Sequence, residues 1–204
     1  MNMKNSERIG IIIHGAPGSG KGFITEKYIE QYPNIDHISV GNHVRDIAGG
    51  RVQSQFKGQV DFASRKKLLL SDDVSAEIVE ERIQASDKSI HIIDGFPQRP
   101  GELEHFLGQT RMRLLGIVTL QVCEATAVKR MEIRGLRQGE TTDFDVIEYY
   151  HQRYRRYTGQ YRSLLEALDG RLPVETINAE NDHLVVYDDF QTVANSLLGR
   201  EREG

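Results

Sequence analysis

The sequence predicts an α/β fold on a mostly parallel sheet, and three observations lead there. Short β-rich apolar runs recur along the 204 residues. Longer stretches of helical period separate them. The first apolar run leads directly into a glycine-rich loop and then a helical pattern, the setting of a phosphate cradle.

Five strands are expected, near Ile9 to His14, Asp36 to Ser39, Ile90 to Asp94, Leu114 to Val122 and Val174 to Asn178. Lys21 to Gln31 reads as a helix. Val74, Ile78, Val79 and Ile83 keep helical spacing after a cap at Ser71 or Asp72. Glu124 to Arg134 and Asp145 to Leu168 are further helices. In the last, Tyr150, Tyr154, Tyr157, Tyr161, Leu164 and Leu168 follow steps of three and four and form one apolar stripe. Tyrosines with Arg153, Arg155, Arg156 and Arg162 interleaved could also make a platform for stacked bases. A buried stripe with a solvated arginine flank is the preferred reading, so no nucleic-acid partner is expected. The polar span Asn42 to Leu70, with Gly49, Gly50 and Gly58, reads as an excursion from the sheet. Arg134 to Asp145, with Gly135 and Gly139, reads as a shorter one.

Composition narrows the function classes. Hydrophobic residues make up 38% and charged residues 27%, which excludes global disorder in a chain long enough for one core. With 26 Lys and Arg against 30 Asp and Glu, the net charge of −4 gives no whole-chain attraction to nucleic acid or an anionic membrane. A phosphate site must therefore come from local placement of cations. Cys123 is the only cysteine, so an internal disulfide and a multi-thiolate zinc site are excluded. A reducing cytoplasm is the expected setting. Residues 1–8 are polar, and the aliphatic runs are too short to span a bilayer, so neither secretion nor a membrane partner is expected.

The sharpest motif is Gly15, Ala16, Pro17, Gly18, Ser19, Gly20, Lys21 and Gly22. Glycines let successive backbone N–H groups converge on phosphate oxygens, the following helix presents its positive end, and Lys21 can bridge the terminal phosphates. Gly22 stands where a Mg²⁺-ligating Ser or Thr often follows the lysine. Any metal is then held through waters and acids elsewhere, and Asp94, ending a buried strand, is the candidate.

These residues resemble the adenylate kinases and related nucleoside monophosphate kinases over almost the whole chain. The phosphate loop, the segment from His37 to Arg45, the run Ile92, Ile93, Asp94, Gly95, Phe96, Pro97, and the arginines Arg130, Arg134 and Arg153 carry the resemblance. It implies one P-loop kinase domain over residues 1–204: a three-layer fold with a five-stranded parallel sheet, a helical monophosphate-binding excursion at about 40–73 and a short mobile lid at about 134–145. It also implies reversible phosphoryl transfer from Mg-ATP to a nucleoside monophosphate, AMP by default, by a cytoplasmic monomer without structural zinc.

By resemblance, Lys21 holds the β and γ phosphates and Arg45 grips the acceptor phosphate. Arg130 covers the ATP base, Phe23 stands on the ATP side at a position after the loop that is often Thr, Arg134 and Arg153 meet the transferred group, and Asp94 holds hydrated Mg²⁺. Val40, Gly95, Gln98, Arg99 and Glu102 line the acceptor side.

Four departures concern the acceptor. Gln98 occupies an arginine position and Arg99 follows it, so the second acceptor-phosphate arginine is displaced or lost. Glu102 replaces a base-reading glutamine; a carboxylate accepts but does not donate, which suits a base offering two donors. Val40 and Asn42 stand where Thr and Asp are common. In the lid, Thr142 and Phe144 take the places of an arginine and an acid, with Arg137 the nearest substitute. Two other readings therefore stay open: a kinase of a modified nucleotide or another small metabolite, and an ATP-binding regulatory protein with little transfer activity.

Overall fold

The computed structural model describes residues 7–66, 68–139 and 143–200. Within them a five-stranded sheet runs in the order β2-β3-β1-β4-β5, with β1 Ile9–Gly15, β2 Ile35–Ser39, β3 Ile90–Asp94, β4 Arg113–Gln121 and β5 Val174–Asn178. Every neighbouring pair is parallel. This is the expected sheet, with strand ends shifted by one residue at β1, β2 and β4.

β1 is apolar because both of its faces are covered. Ile11 and Ile13 pack against α1 (Lys21–Gln31) and α8 (His183–Leu197) through Ile24, Tyr28, Val186 and Phe190. Ile12 faces the opposite layer, where Ala76, Val79 and Ile83 of α4 (Asp72–Gln84), Leu103 and Phe106 of α5 (Pro100–Gln109), and Leu164 and Leu168 of α7 (Phe144–Leu168) close over the sheet. The result is the three-layer architecture expected of a P-loop fold.

The span after β2 is helical. α2 (Val40–Ala48) and α3 (Lys57–Lys66) share a small core of Ile47, Phe56 and Val60 with Ile78 of α4. The excursion is thus anchored through the helix that follows it. α6 (Glu124–Arg137) runs one turn further than expected and places Arg134 inside the helix, leaving only 138–143 before α7. Thr142 lies outside the described residues.

α5 and α8 were not anticipated. Two glycines and an N-terminal proline blunt the helical signal of α5, yet its buried Glu102, Leu103 and Phe106 keep helical spacing. α8 carries β-branched residues in its first turn, but Val186, Tyr187, Phe190 and Ala194 form one buried stripe. Along α7 the tyrosine stripe faces inward: the hydroxyls of Tyr154 and Tyr161 reach Val122 O at 2.9 Å and Thr119 Oγ1 at 2.7 Å, and Tyr150 packs on Met131 of α6. Among the described residues no helix is long and apolar enough to cross a membrane.

Candidate active site

The carboxyl ends of β1, β2 and β3 open onto one cleft of about 650 Å³. In a parallel α/β sheet this is where loops diverge and ligands bind. The loop after β1 keeps its shape through two glycines. Gly18 has φ 86° and lies so close to α6 that a Cβ would meet Ala127 O at 2.3 Å. Gly20, at φ 96°, turns the chain into α1. α1 has no side-chain cap and no acid in its first turn, so its first N–H groups and positive end remain available to an anion.

Lys21 Nζ folds back over the loop and donates to Gly15 O at 2.6 Å and Ala16 O at 3.3 Å. Burial lowers its pKa, and the nearby Arg153 and Arg134 lower it further, while Asp94 opposes the shift. A buried lysine near two arginines, with Asp94 as the opposing charge, is a setting that the negative charge of a polyphosphate would complement.

Asp94 ends β3. Its Oδ1 is buried without a hydrogen-bond partner, and its Oδ2 lies 3.9 Å from His37 Nε2. One unpartnered carboxylate oxygen beside a phosphate cradle fits Mg²⁺, which binds through few protein ligands and keeps much of its water. Among the described residues, no group of three or more His, Cys, Asp or Glu could hold a metal ion.

On the far side, Arg45 of α2 is exposed to the cleft, and Asn42 Oδ1 accepts from its Nη2. The neutral amide at 42 steers the guanidinium without cancelling its charge. An adjoining cavity of about 310 Å³ shares Arg45, Gly95 and Gln98 with the cleft and adds Val40, Val44, Leu68, Phe96, Arg99 and Glu102.

Here Glu102 is not the bare carboxylate that the sequence suggested. It is buried, its Oε2 accepts from Gln98 N at 2.6 Å, and its Oε1 accepts from Arg99 Nη2 at 2.7 Å. Arg99 also donates to Leu70 O at 2.8 Å and pairs through Nε with Asp72 Oδ1 at 2.8 Å. Its guanidinium is thus engaged on three sides and does not line the main cleft. Beyond the phosphate loop, Arg130 Nη1 donates to Ala179 O at 2.9 Å, and Phe23 meets His183 edge to face. These residues border a third cavity of about 340 Å³ with Ser19, Asn181 and Asp182.

The main cleft brings together Gly15, Pro17, Gly18, Gly20, Lys21, Gly22, Phe23, Arg45, Asp94, Gly95, Gln98, Arg130, Arg134 and Arg153. Val40, Arg99 and Glu102 border only the adjoining cavity, Ser19 the third, and Ala16 is buried in the core. Arg137 and Phe144 are exposed and do not line the cleft.

Sequence reasoning passed over His14, Arg156, Tyr157 and Gln160, all of which line it. The three on α7 share a face with Arg153 at steps of three and four, a spacing that could have marked them. His14 is buried, with Nε2 2.6 Å from Pro97 O and Nδ1 3.2 Å from Tyr157 Oη. Burial and the charge of Lys21 push its pKa down to about 4, although the Pro97 carbonyl and Asp94 oppose this. The neutral ring donates through Nε2–H to Pro97 and accepts the Tyr157 hydroxyl at Nδ1.

A family model described as adenylate kinase matches residues 13–171. The chain belongs to the adenylate kinase family. Adenylate kinase 1 of Synechocystis sp. is 33% identical over 185 residues, covering 86% of this chain and 96% of that relative. The adenylate kinase of Pseudothermotoga lettingae is 24% identical over 217 aligned positions, covering 92% and 99%. That of Lactobacillus acidophilus is 34% identical over 132 residues, covering 62% of this chain and 58% of the relative. The chain thus spans less than two thirds of the length of the Lactobacillus adenylate kinases it matches. Membership of the adenylate kinase family agrees with the three-layer fold around a five-stranded parallel sheet and with the glycine-rich loop after β1.

Proposed function

We propose that this protein is an ATP-dependent nucleoside monophosphate kinase that moves a phosphoryl group reversibly between Mg-ATP and a nucleoside monophosphate, with AMP as the acceptor. The observation that carries the proposal is the single cleft in which Lys21 and the open end of α1 face Arg45, Arg134 and Arg153 above Asp94. Family membership supports the reading.

Phosphoryl transfer asks little covalent work of a protein and much positioning and charge neutralisation. Lys21 leaves the Gly15 and Ala16 carbonyls for the β and γ phosphate oxygens, joined there by the loop N–H groups. Arg130, Phe23 and His183 hold the donor base. Arg45, steered by Asn42, takes the acceptor phosphate, whose oxygen attacks the γ phosphorus in line. The bond from γ phosphorus to the bridging oxygen breaks, and its electron pair passes to the β phosphate of the departing ADP. Arg134 and Arg153 neutralise the equatorial oxygens. Asp94 would hold Mg²⁺ through water, and the ion would supply further charge neutralisation to the polyphosphate. Closure of the excursion over the cleft excludes water, which suppresses idle ATP hydrolysis.

At the acceptor base, Arg99 holds the Glu102 carboxylate while its own Nε and Nη2 groups are taken by Leu70 O, Asp72 and Glu102. The pair thus offers acceptor oxygens rather than the donor and acceptor of one amide, and AMP as acceptor rests on family membership. A second reading, transfer to another small phosphorylated acceptor, draws on the same pair, because Gln98, Arg99 and Glu102 depart together from the family pattern. We further propose a monomer working in the cytoplasm without nucleic-acid partners.

The test is Mg²⁺-dependent transfer from ATP to AMP, dAMP, CMP, UMP, GMP and IMP, with a control lacking acceptor. The proposal expects AMP to be turned over at about 1 to 10³ per second. Preference for another of these monophosphates would overturn AMP as the acceptor and place Glu102 in base recognition, and ATP binding without transfer to any of them would refute the nucleoside monophosphate reading in favour of another small acceptor or a regulatory role.

A further inference from the structure

The acceptor phosphate of a nucleoside monophosphate carries close to two negative charges at neutral pH. In the site described above, Arg45 meets one of them. Gln98 is neutral, and its amide Nε2 donates to Gly95 O at 3.1 Å. Arg99 cannot readily serve, since Leu70 O, Asp72 and Glu102 hold its guanidinium outside the main cleft. The described acceptor side is one cation short unless another element provides it.

α7 provides one. Tyr157 Oη lies 3.2 Å from His14 Nδ1, and His14 Nε2 lies 2.6 Å from Pro97 O. This chain of contacts holds one turn of α7 against the residue that precedes Gln98. Arg156 sits on that turn, one residue before Tyr157 and three after Arg153, and lines the same cleft as Arg45 and Gln98. It is exposed, and among the described residues no carboxylate or carbonyl oxygen pairs with it. Its neighbour Arg155 differs, pairing with Glu124 at 3.1 Å away from the cleft. A solvated arginine flank does not explain why position 156 faces the cavity wall.

We propose that Arg156 is a binding residue for the acceptor phosphate and supplies the charge that Gln98 lacks. The proposal rests on the kinase reading above. A charge-assisted guanidinium contact to phosphate has no replacement when the side chain is cut back, so Arg156→Ala raises the KM for AMP about 10- to 100-fold. The KM for ATP stays within about twofold, because Lys21 and the phosphate loop are untouched. Placing the charge on the other wall restores the site: Gln98→Arg in the Arg156→Ala background recovers most of the lost affinity for AMP.

The experiment is initial-rate kinetics with each nucleotide varied in turn, on the unmodified protein, Arg156→Ala, the Gln98→Arg/Arg156→Ala double variant, and Arg155→Ala as a control for lost surface charge. Thermal unfolding of each confirms that the fold is retained. A selective rise in the KM for AMP that Gln98→Arg reverses and Arg155→Ala does not reproduce supports the assignment. An unchanged KM for AMP in Arg156→Ala, or an equal rise for both nucleotides, overturns it and leaves the kinase reading intact. No transfer by the unmodified protein overturns the kinase reading itself, and the assignment with it.

Discussion

His14 occupies the joint between the phosphate loop, the Pro97 turn and α7, and its burial has a measurable consequence. Its pKa of about 4 in the folded state lies below the ordinary value of 6.5. Above pH 6.5 the ring is neutral folded or unfolded. As the pH falls from 6.5 towards 4, the unfolded chain accepts a proton that the folded site refuses, so stability drops, by about 3 kcal/mol in all. About 2 kcal/mol of this falls between pH 7 and pH 5. Urea unfolding at these two pH values will show a smaller loss for His14→Gln than for the unmodified protein, and equal losses would contradict the assignment. Of the site residues, the phosphate loop and Asp94 were legible in the sequence because contiguous residues create them. The Arg99–Glu102 pair and the cleft-facing side of Arg156 were not, because each depends on which helix arrives opposite.

At the scale of elements, α4 and α5 are joined where the excursion returns to the sheet. Arg99 bridges Leu70 O and Asp72 on one side to Glu102 on the other. Gly101 makes room for this contact, since a Cβ there would lie 1.9 Å from Asp72 Oδ2. Gly101→Ala therefore displaces a held carboxylate and destabilises the fold by about 1 to 3 kcal/mol, measured by chemical denaturation. In an Asp72→Ala background the obstacle is gone, and the same substitution is neutral or stabilising by up to about 1 kcal/mol through helix propensity. Additive effects in that cycle would show that the two residues do not constrain each other. Element prediction succeeded where boundaries carry chemical markers: Lys21 to Gln31 begins after a glycine loop and Ile90 to Asp94 is a compact aliphatic run. It failed at α5 and α8, whose glycines and β-branched residues hide a stripe that only packing on the sheet reveals.

Across the whole molecule, the sheet presents the β1 and β3 ends to one cleft, and three arginine-bearing helices, α2, α6 and α7, close round it. The proposed reaction is direct transfer between two nucleotides held at once in this cleft. The fold class was legible because alternating apolar runs and helical stretches dictate a parallel sheet. The acceptor side was less so, because its charge is distributed over elements distant in sequence. The most direct test of the central claim is the kinetic pattern of ADP formation from ATP and AMP, with both concentrations varied together. Simultaneous binding predicts intersecting double-reciprocal lines, two ADP formed for each AMP consumed, and a loss of about 10²-fold or more in kcat for Lys21→Ala. Parallel lines, or ADP released from ATP while AMP is unconsumed, would contradict it.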